Sequence, residues 1–248
     1  MNDLNTVIIS LAETDSTNRY LQSVAANEVL PSGSIVIAGY QTSGRGQTGN
    51  SWESERGKNL LFSVLLRPAE IPANKSFVIS EAAALSVKYT LDKYVADITV
   101  KWPNDIYFKD SKIAGILIEN VINQGKISQS VIGFGININQ TEFNAGIYNP
   151  LSLSMISGVE YDIEVIFNEF REKFAVLSEM LADGQFEIIH QKYINSLYRK
   201  EGFHRFSDAG GVFDAEIFDI EPSGHLVLHR EDGTLSRYAF KEIKFEMA

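Results

Sequence analysis

Three stretches of this sequence carry side chains suited to chemistry on anions. The first, Gly44-Arg45-Gly46-Gln47-Thr48-Gly49-Asn50-Ser51, sets an arginine among three closely spaced glycines. Glycines let backbone N–H groups approach an anion closely, and an arginine between them adds a bidentate charge. The stretch fits G-x-G-x-x-G. It nearly fits the phosphate loop G-x-x-x-x-G-K-[ST], with Asn50 where the lysine belongs. Both motifs work by presenting phosphate to the N-terminus of a helix directly after the loop. Here the chain instead continues through Ser51-Trp52-Glu53-Ser54-Glu55-Arg56-Gly57 into a strand, so neither motif has its context. A long polar loop remains, with Gln41, Arg45 and Trp52 as recognition groups. The plain alternative is an ordinary surface loop.

The second stretch runs Lys101-Trp102-Pro103-Asn104-Asp105 and resumes as Lys112-Ile113-Ala114-Gly115-Ile116-Leu117-Ile118-Glu119. Pro103 belongs at a strand end or turn. Asn104 and Asp105 are turn formers that also suit a hydrated metal ion. Lys112 opens an apolar strand, so its stem would be partly buried and its charge aimed outward. The alternative is a plain hairpin with a solvated lysine. The third stretch, Gly133-Phe134-Gly135-Ile136-Asn137, sets glycines inside an apolar strand, which marks close approach of a ligand or backbone, or a bulge.

Taken together, a cation in a glycine-rich loop, a second lysine and a carboxylate/amide pair suit the joining of a carboxylate to a nucleotide phosphate. A carboxylate nucleophile is already ionised at neutral pH and needs no general base. It needs screening from the phosphate and in-line alignment. All four histidines (His190, His204, His225 and His229) fall in the last quarter of the chain, away from these stretches, and read as surface residues. A local histidine base or zinc site is therefore not expected.

The 248 residues carry a net charge of −10, with 44% hydrophobic and 22% charged residues and no cysteine. Wholesale disorder, disulfides, thiolate catalysis and iron–sulfur ligation are excluded. An acidic chain is a poor non-specific nucleic-acid binder. No signal-peptide pattern opens the chain and no stretch reaches the ~20 apolar residues of a membrane span, so a cytoplasmic protein is expected.

The elements that must position these groups emerge from periodicity. Strands are expected over 6–12, 34–41, 59–67, 98–102, 106–108, 113–121 and 129–138. A cap cluster, Glu13 to Asn18, precedes a helix reaching Glu28, and one long helix is expected from Phe77 to Tyr94. Residues 139–151 read as loop. Ile163, Ile166, Phe167, Phe170, Phe174, Leu177 and Leu181 mark a helix ending near Gly184, and Phe186 to Leu197 mark another. After Lys200 three short strands (212–220, 225–230 and 234–240) form a small β unit, too small to be very stable alone.

The ordered set Ser16-Thr17-Asn18, GRGQTGNSW, KWPND, KIAGILIE and GFGIN resembles the bacterial biotin protein ligases. The resemblance implies an α+β fold: a mixed-sheet catalytic domain over 1–200, then an SH3-like barrel over 201–248. It implies two steps, in which biotin and MgATP give biotinyl-5′-AMP and the biotinyl group then passes to a lysine of a biotin carboxyl carrier domain. Biotin would meet Ser16, Thr17, Asn18, Gln41, Gly44, Arg45, Gly46, Gln47, Lys112, Gly115 and Leu117. ATP would meet Arg45, Asn50, Trp52, Asn104, Asp105, Lys112 and Asn137. Arg45, Lys112 and Asp105 would carry catalysis, with Asp105 at the magnesium ion and, in the second step, accepting the proton of the incoming amine.

Two departures from the family pattern stand out. Many members read G-R-G-R with further basic residues, whereas Gln47, Thr48 and Asn50 stand here. Each lost charge-assisted bond would weaken the hold on adenylate by about 1–3 kcal/mol, so activity with faster adenylate release is expected. Regulatory members carry an additional DNA-binding domain, and only 15 residues precede the Ser-Thr-Asn cap here. A ligase that binds neither DNA nor membrane is expected, and members of the family can also pair edge strands as homodimers. The rival readings are a lipoate- or octanoate-type ligase and a non-catalytic biotin-binding homologue.

Overall fold

The computed structural model describes residues 6–47, 49–68, 70–144 and 149–246. Seven strands form one mixed sheet: β1 (Ile8–Leu11), β2 (Ile35–Ala38), β3 (Leu60–Leu66), β4 (Ile98–Lys101), β5 (Asp105–Phe108), β6 (Ser111–Asn123) and β7 (Lys126–Ile136). Their order is β1-β2-β3-β7-β6-β5-β4, with β1 and β2 parallel and every other neighbouring pair antiparallel.

Alternation along β3, β6 and β7 gives the sheet two unlike faces. One presents Phe62, Ile116 and Phe134, and is covered by α2 (Phe77–Leu91), α4 (Ile163–Ala182) and α5 (Phe186–Ile194). Phe62 stacks on Phe134 at 4.8 Å, and Phe170 of α4 meets both edge-on. The α4 positions spaced by threes and fours are those that bury, and Asp162 caps the helix by accepting the Glu164 N–H at 2.8 Å. The opposite face is covered at one end only, by α1 (Thr17–Asn27), whose Leu21 packs with Leu30, Val36, Leu65 and Val131.

The C-terminal unit is a five-stranded antiparallel sheet. It comprises β8 (His204–Asp208), β9 (Gly211–Ile220), β10 (Leu226–Arg230), β11 (Leu235–Tyr238) and β12 (Lys244–Phe245), ordered β11-β10-β9-β8-β12. It docks on the larger part through the Trp102 indole N–H, which donates to the Gly224 carbonyl at 3.0 Å, and through Phe240, which packs edge-on to the same indole.

Several expectations need correction. Helix α3 (Leu153–Ser157) comes just after the expected loop; it is one short turn capped by Ser152, too brief for a periodic signal. Strands β8 and β12 add to the three expected there, because β8 is mostly polar with one fully buried residue, Phe206, and β12 has only two residues. Strand β2 stops at Ala38, ahead of the expected Gln41, because Gly39 and Tyr40 bond sideways to Leu11 and Thr14. His190 is no free surface residue: its ring bonds Glu81 of α2 at 2.7 Å and Asp219 of β9 at 3.1 Å.

Candidate active site

On the half-covered face, register sets Gly115 of β6 opposite Gly135 of β7, and Leu117 opposite Gly133. Three missing side chains leave a shallow floor. A Cβ on Gly135 or Gly115 would run into the Trp52 indole, and one on Gly133 would run into the Asn18 amide. The glycines are therefore required by close approach of these two side chains, where the sequence pattern pointed to a ligand, a backbone or a bulge at Gly133 and Gly135.

Over this floor lies a cavity of about 110 Å³. Ser16, Thr17 and Asn18 enter it from the start of α1. Gln41, Arg45, Gly46, Gln47, Asn50 and Trp52 come from the glycine-rich loop, Asn104 and Asp105 from the turn into β5, and Lys112, Gly115 and Leu117 from β6. Gly44 stands behind the lining, against the Trp52 carbonyl. Asn137 is also set back: its amide donates to the Leu151 carbonyl at 3.1 Å and its backbone N–H to Ile113. Thr48 lies outside the described residues.

A hydrogen-bonded chain closes the inner end. The Thr17 N–H and hydroxyl meet the Gln41 Oε1 at 2.8 and 3.1 Å. The Ser63 hydroxyl sits 2.7 Å from Thr17 Oγ1 and 2.6 Å from Asn18 Oδ1. Three oxygen–oxygen contacts share two hydroxyl protons, so one contact lacks a proton and a ligand N–H aimed there meets an acceptor. Two buried cavity atoms, Trp52 Nε1 and Gln47 Oε1, find no partner among the described residues. Such groups are usually satisfied by water or ligand.

Both cations expected to act are held by carboxylates. Lys112 Nζ lies 2.6 Å from Asp105 Oδ1 and 5.6 Å from the centre of the Trp52 ring. The start of β6 is pinned by the Lys112 backbone, whose N–H donates to the Asn149 carbonyl and whose carbonyl accepts from the Leu151 N–H. Arg45 Nη1 pairs with Glu119 Oε1 at 3.0 Å, while the other Glu119 oxygen accepts from Asn18 and Gln22 at 2.9 and 3.0 Å. Asn104 is fixed by its own amide, which donates to the Ile116 carbonyl. One strand over, burial pushes the pKa of the Lys101 ammonium down, and nearby Asp105 offsets part of that shift. Among the described residues no group of three His, Asp or Glu side chains is placed to hold a metal ion.

Sequence reasoning missed Ser63, Glu119 and Phe240. Glu119 was legible, since Gly115, Leu117 and Glu119 alternate onto one face of β6. Ser63 was legible only as a polar residue inside an apolar strand. Phe240 comes from the C-terminal unit and lines the cavity, which no local pattern indicates.

The biotin/lipoate A/B protein ligase family model matches residues 10–137, just over half of the chain and every element that builds this cavity except Phe240. The chain belongs to this family. Among biotin/lipoate ligase relatives, it is 40% identical over 244 residues to the bifunctional ligase/repressor BirA of Escherichia coli, covering 94% of this chain and 72% of that protein. It is 37% identical over 224 residues to BirA of Bacillus subtilis, covering 86% and 67%. In fold it is similar to the biotin protein ligase of Aquifex aeolicus solved with biotin and ATP, at a TM-score of 0.79 and 24% identity over 98% of this chain and 99% of that one. Among the described residues no helix of this ligase-family chain is long and apolar enough to cross a membrane.

Proposed function

We propose that this chain is an ATP-dependent biotin–protein ligase. It joins the biotin carboxylate to the α-phosphate of ATP, releasing pyrophosphate, and then passes the biotinyl group to a lysine of a biotin carboxyl carrier domain. The observation that carries this reading is the cavity itself. A glycine floor under an indole is bounded at one end by the hydrogen-bonding groups around Asn18, with the Arg45–Glu119 pair beside them, and near Gly115 by the Lys112–Asp105 pair. A flat, polar-tipped acid fits that shape, and exchangeable cations suit its carboxylate and a phosphate. Residues 1–200 would form the catalytic domain and 201–248 the C-terminal one, acting in the cytoplasm.

Each step asks something definite of the residues. In the first, the biotin carboxylate attacks phosphorus and the pyrophosphate departs with the bond electrons. Lys112 and Arg45 leave their carboxylate partners to screen the two anions. Asp105 would be the residue to hold the magnesium ion of MgATP, which would offset the charge of the phosphates, and one carboxylate suits an ion that would keep phosphate and water as its other ligands. In the second step the acceptor amine must be neutral to attack the acyl carbon. Asp105, beside Lys112, takes the proton it sheds, and AMP leaves. An Asp105→Asn variant should lose transfer from preformed adenylate, and full transfer by that variant would refute the role.

The deciding experiment is acid-dependent ATP–pyrophosphate exchange with purified protein, comparing biotin, lipoate and octanoate. Exchange with biotin alone is expected. Exchange with lipoate or octanoate would assign the chain to the lipoate side of the family, and silence with all three would leave a binding protein. Gln47 and Asn50 put no charge on the loop, so bound adenylate should leave quickly, and Gln47→Arg should slow it by about tenfold or more.

A further inference from the structure

One carboxylate ties three parts of the cavity together. Glu119 of β6 gives Oε1 to the Arg45 guanidinium on the glycine-rich loop, and Oε2 to the side-chain amides of Asn18 and Gln22 on α1. We infer that Glu119 is a positioning residue for the head group of the substrate. It turns the buried Asn18 amide so that the inner end of the cavity keeps an unfilled acceptor, and so selects an acid whose head carries N–H groups. This rests on the ligase reading above and adds a specificity-determining residue to it.

A count of protons carries the inference. An ionised carboxylate only accepts, so the nitrogen of the Asn18 amide must face Glu119. That nitrogen lies 2.9 Å from Glu119 Oε2 and 3.4 Å from the Leu117 carbonyl, and both of its protons go to β6. Asn18 Oδ1 is left facing the Ser63 hydroxyl, 2.6 Å away, and lying over Gly133, where a Cβ would strike it. Ser63 must then give its single proton to Asn18. Thr17 has one hydroxyl proton for two contacts, with Ser63 and with Gln41 Oε1. One acceptor stays unfilled. With the amide turned over, Asn18 would donate to Ser63, Ser63 to Thr17 and Thr17 to Gln41. Every contact would then hold a proton, and a ligand N–H would find no acceptor waiting. Asn18 and Ser63 are 2% and 0% exposed, so this polarity is set inside the protein and not by bulk water. The ureido head of biotin carries two N–H groups. The dithiolane of lipoate and the methyl end of octanoate carry none.

Glu119→Gln tests this, because it keeps the shape and removes the obligation to accept. The new side chain can leave an oxygen on Arg45 and turn its NH2 toward Asn18, which then flips. Calorimetry on the full chain measures binding of biotin and of biotinamide, which keeps the ureido head and has no carboxylate. Both dissociation constants should rise about tenfold, while the KM for ATP in exchange at saturating biotin stays within twofold. Biotinamide matters because it offers Arg45 no carboxylate to hold. Unchanged biotinamide binding would mean that the effect runs through Arg45, and would overturn the inference. An equal rise in the biotin and ATP values would overturn it too, since Glu119 would then merely brace the cavity. In an Asn18→Ala background, Glu119→Gln should weaken biotin binding by less than twofold further, and a second tenfold loss there would show that the effect does not pass through Asn18. Gln22→Ala, which removes the other amide on the same oxygen, should leave biotin binding within twofold, and a tenfold loss there would count against the Asn18 route. A wild-type chain that binds no biotin is a different failure, that of the ligase reading itself.

Discussion

The two faces of the large sheet are built from adjacent residues of the same strands, yet they obey opposite rules. Phe62, Ile116 and Phe134 point one way into a continuous aromatic core. Ser63, Leu117 and the glycines at 133 and 135 point the other way, onto a floor that is incompletely covered. The first face maximises contact and fixes the strands. The second gives up contact, and what it gains is room for a flat ligand and polar atoms left without partners. Stability should therefore be read from one face and activity from the other.

The largest expected effect tests the packed face. Phe134→Ala removes a ring that touches Phe62, Phe170 and Phe174, and should cost about 3–5 kcal/mol of stability. Urea unfolding measures the cost, and the KM for biotin in the protein that remains folded should stay within about twofold. A large rise in that KM with little loss of stability would erase the distinction between the faces.

Next in size, Lys112→Met keeps the stem and removes the charge. Exchange should fall on the order of 100–1,000-fold with little change in melting temperature, the usual cost of one charge-stabilising group. Smaller again, Gly135→Ala forces the Trp52 indole off the floor and should raise the KM for biotin by about tenfold, roughly what overpacking by one methyl costs. Stability should change much less than in Phe134→Ala, and a parallel loss in both would mean that the floor is simply more core.

This division also explains what the sequence could reveal. The packed face was legible as periodicity: the buried stripe of α4 and the apolar runs of β3 and β7 led directly to elements with nearly correct bounds. The open face was legible as exceptions to that periodicity, namely Gly115, Gly133, Gly135 and the loop around Arg45. Partnership was not legible. Nothing local says that Arg45 will meet Glu119, 74 positions along the chain, or that Phe240 will reach the cavity from the C-terminal unit. The Phe240 contact depends on how the C-terminal unit docks, and both contacts are decided by side chains far apart in sequence.

One docking contact reads in the sequence as plain surface, and it yields the smallest prediction. His190 of α5 lies between buried Glu81 of α2 and Asp219 of β9. The hydrogen bond to Glu81 leads in raising its pKa to about 9, against the opposing pull of burial, with Asp219 adding to the rise. Burial raises the pKa of Glu81 as well, so both groups hold protons more tightly in the folded chain than in the unfolded one. Glu187 adds negative charge near Glu81 in the same direction. A histidine whose pKa rises on folding contributes fully below its ordinary value of 6.5 and loses that contribution as pH rises through about 9. The expected loss is on the order of 1–2 kcal/mol after allowing for solvent on the Asp219 side. Melting temperatures at pH 6 and pH 9.5 should therefore differ more in the wild type than in His190→Gln. Equal differences in the two proteins would show that this contact, unlike the cation pairs of the cavity, carries no charge across the seam.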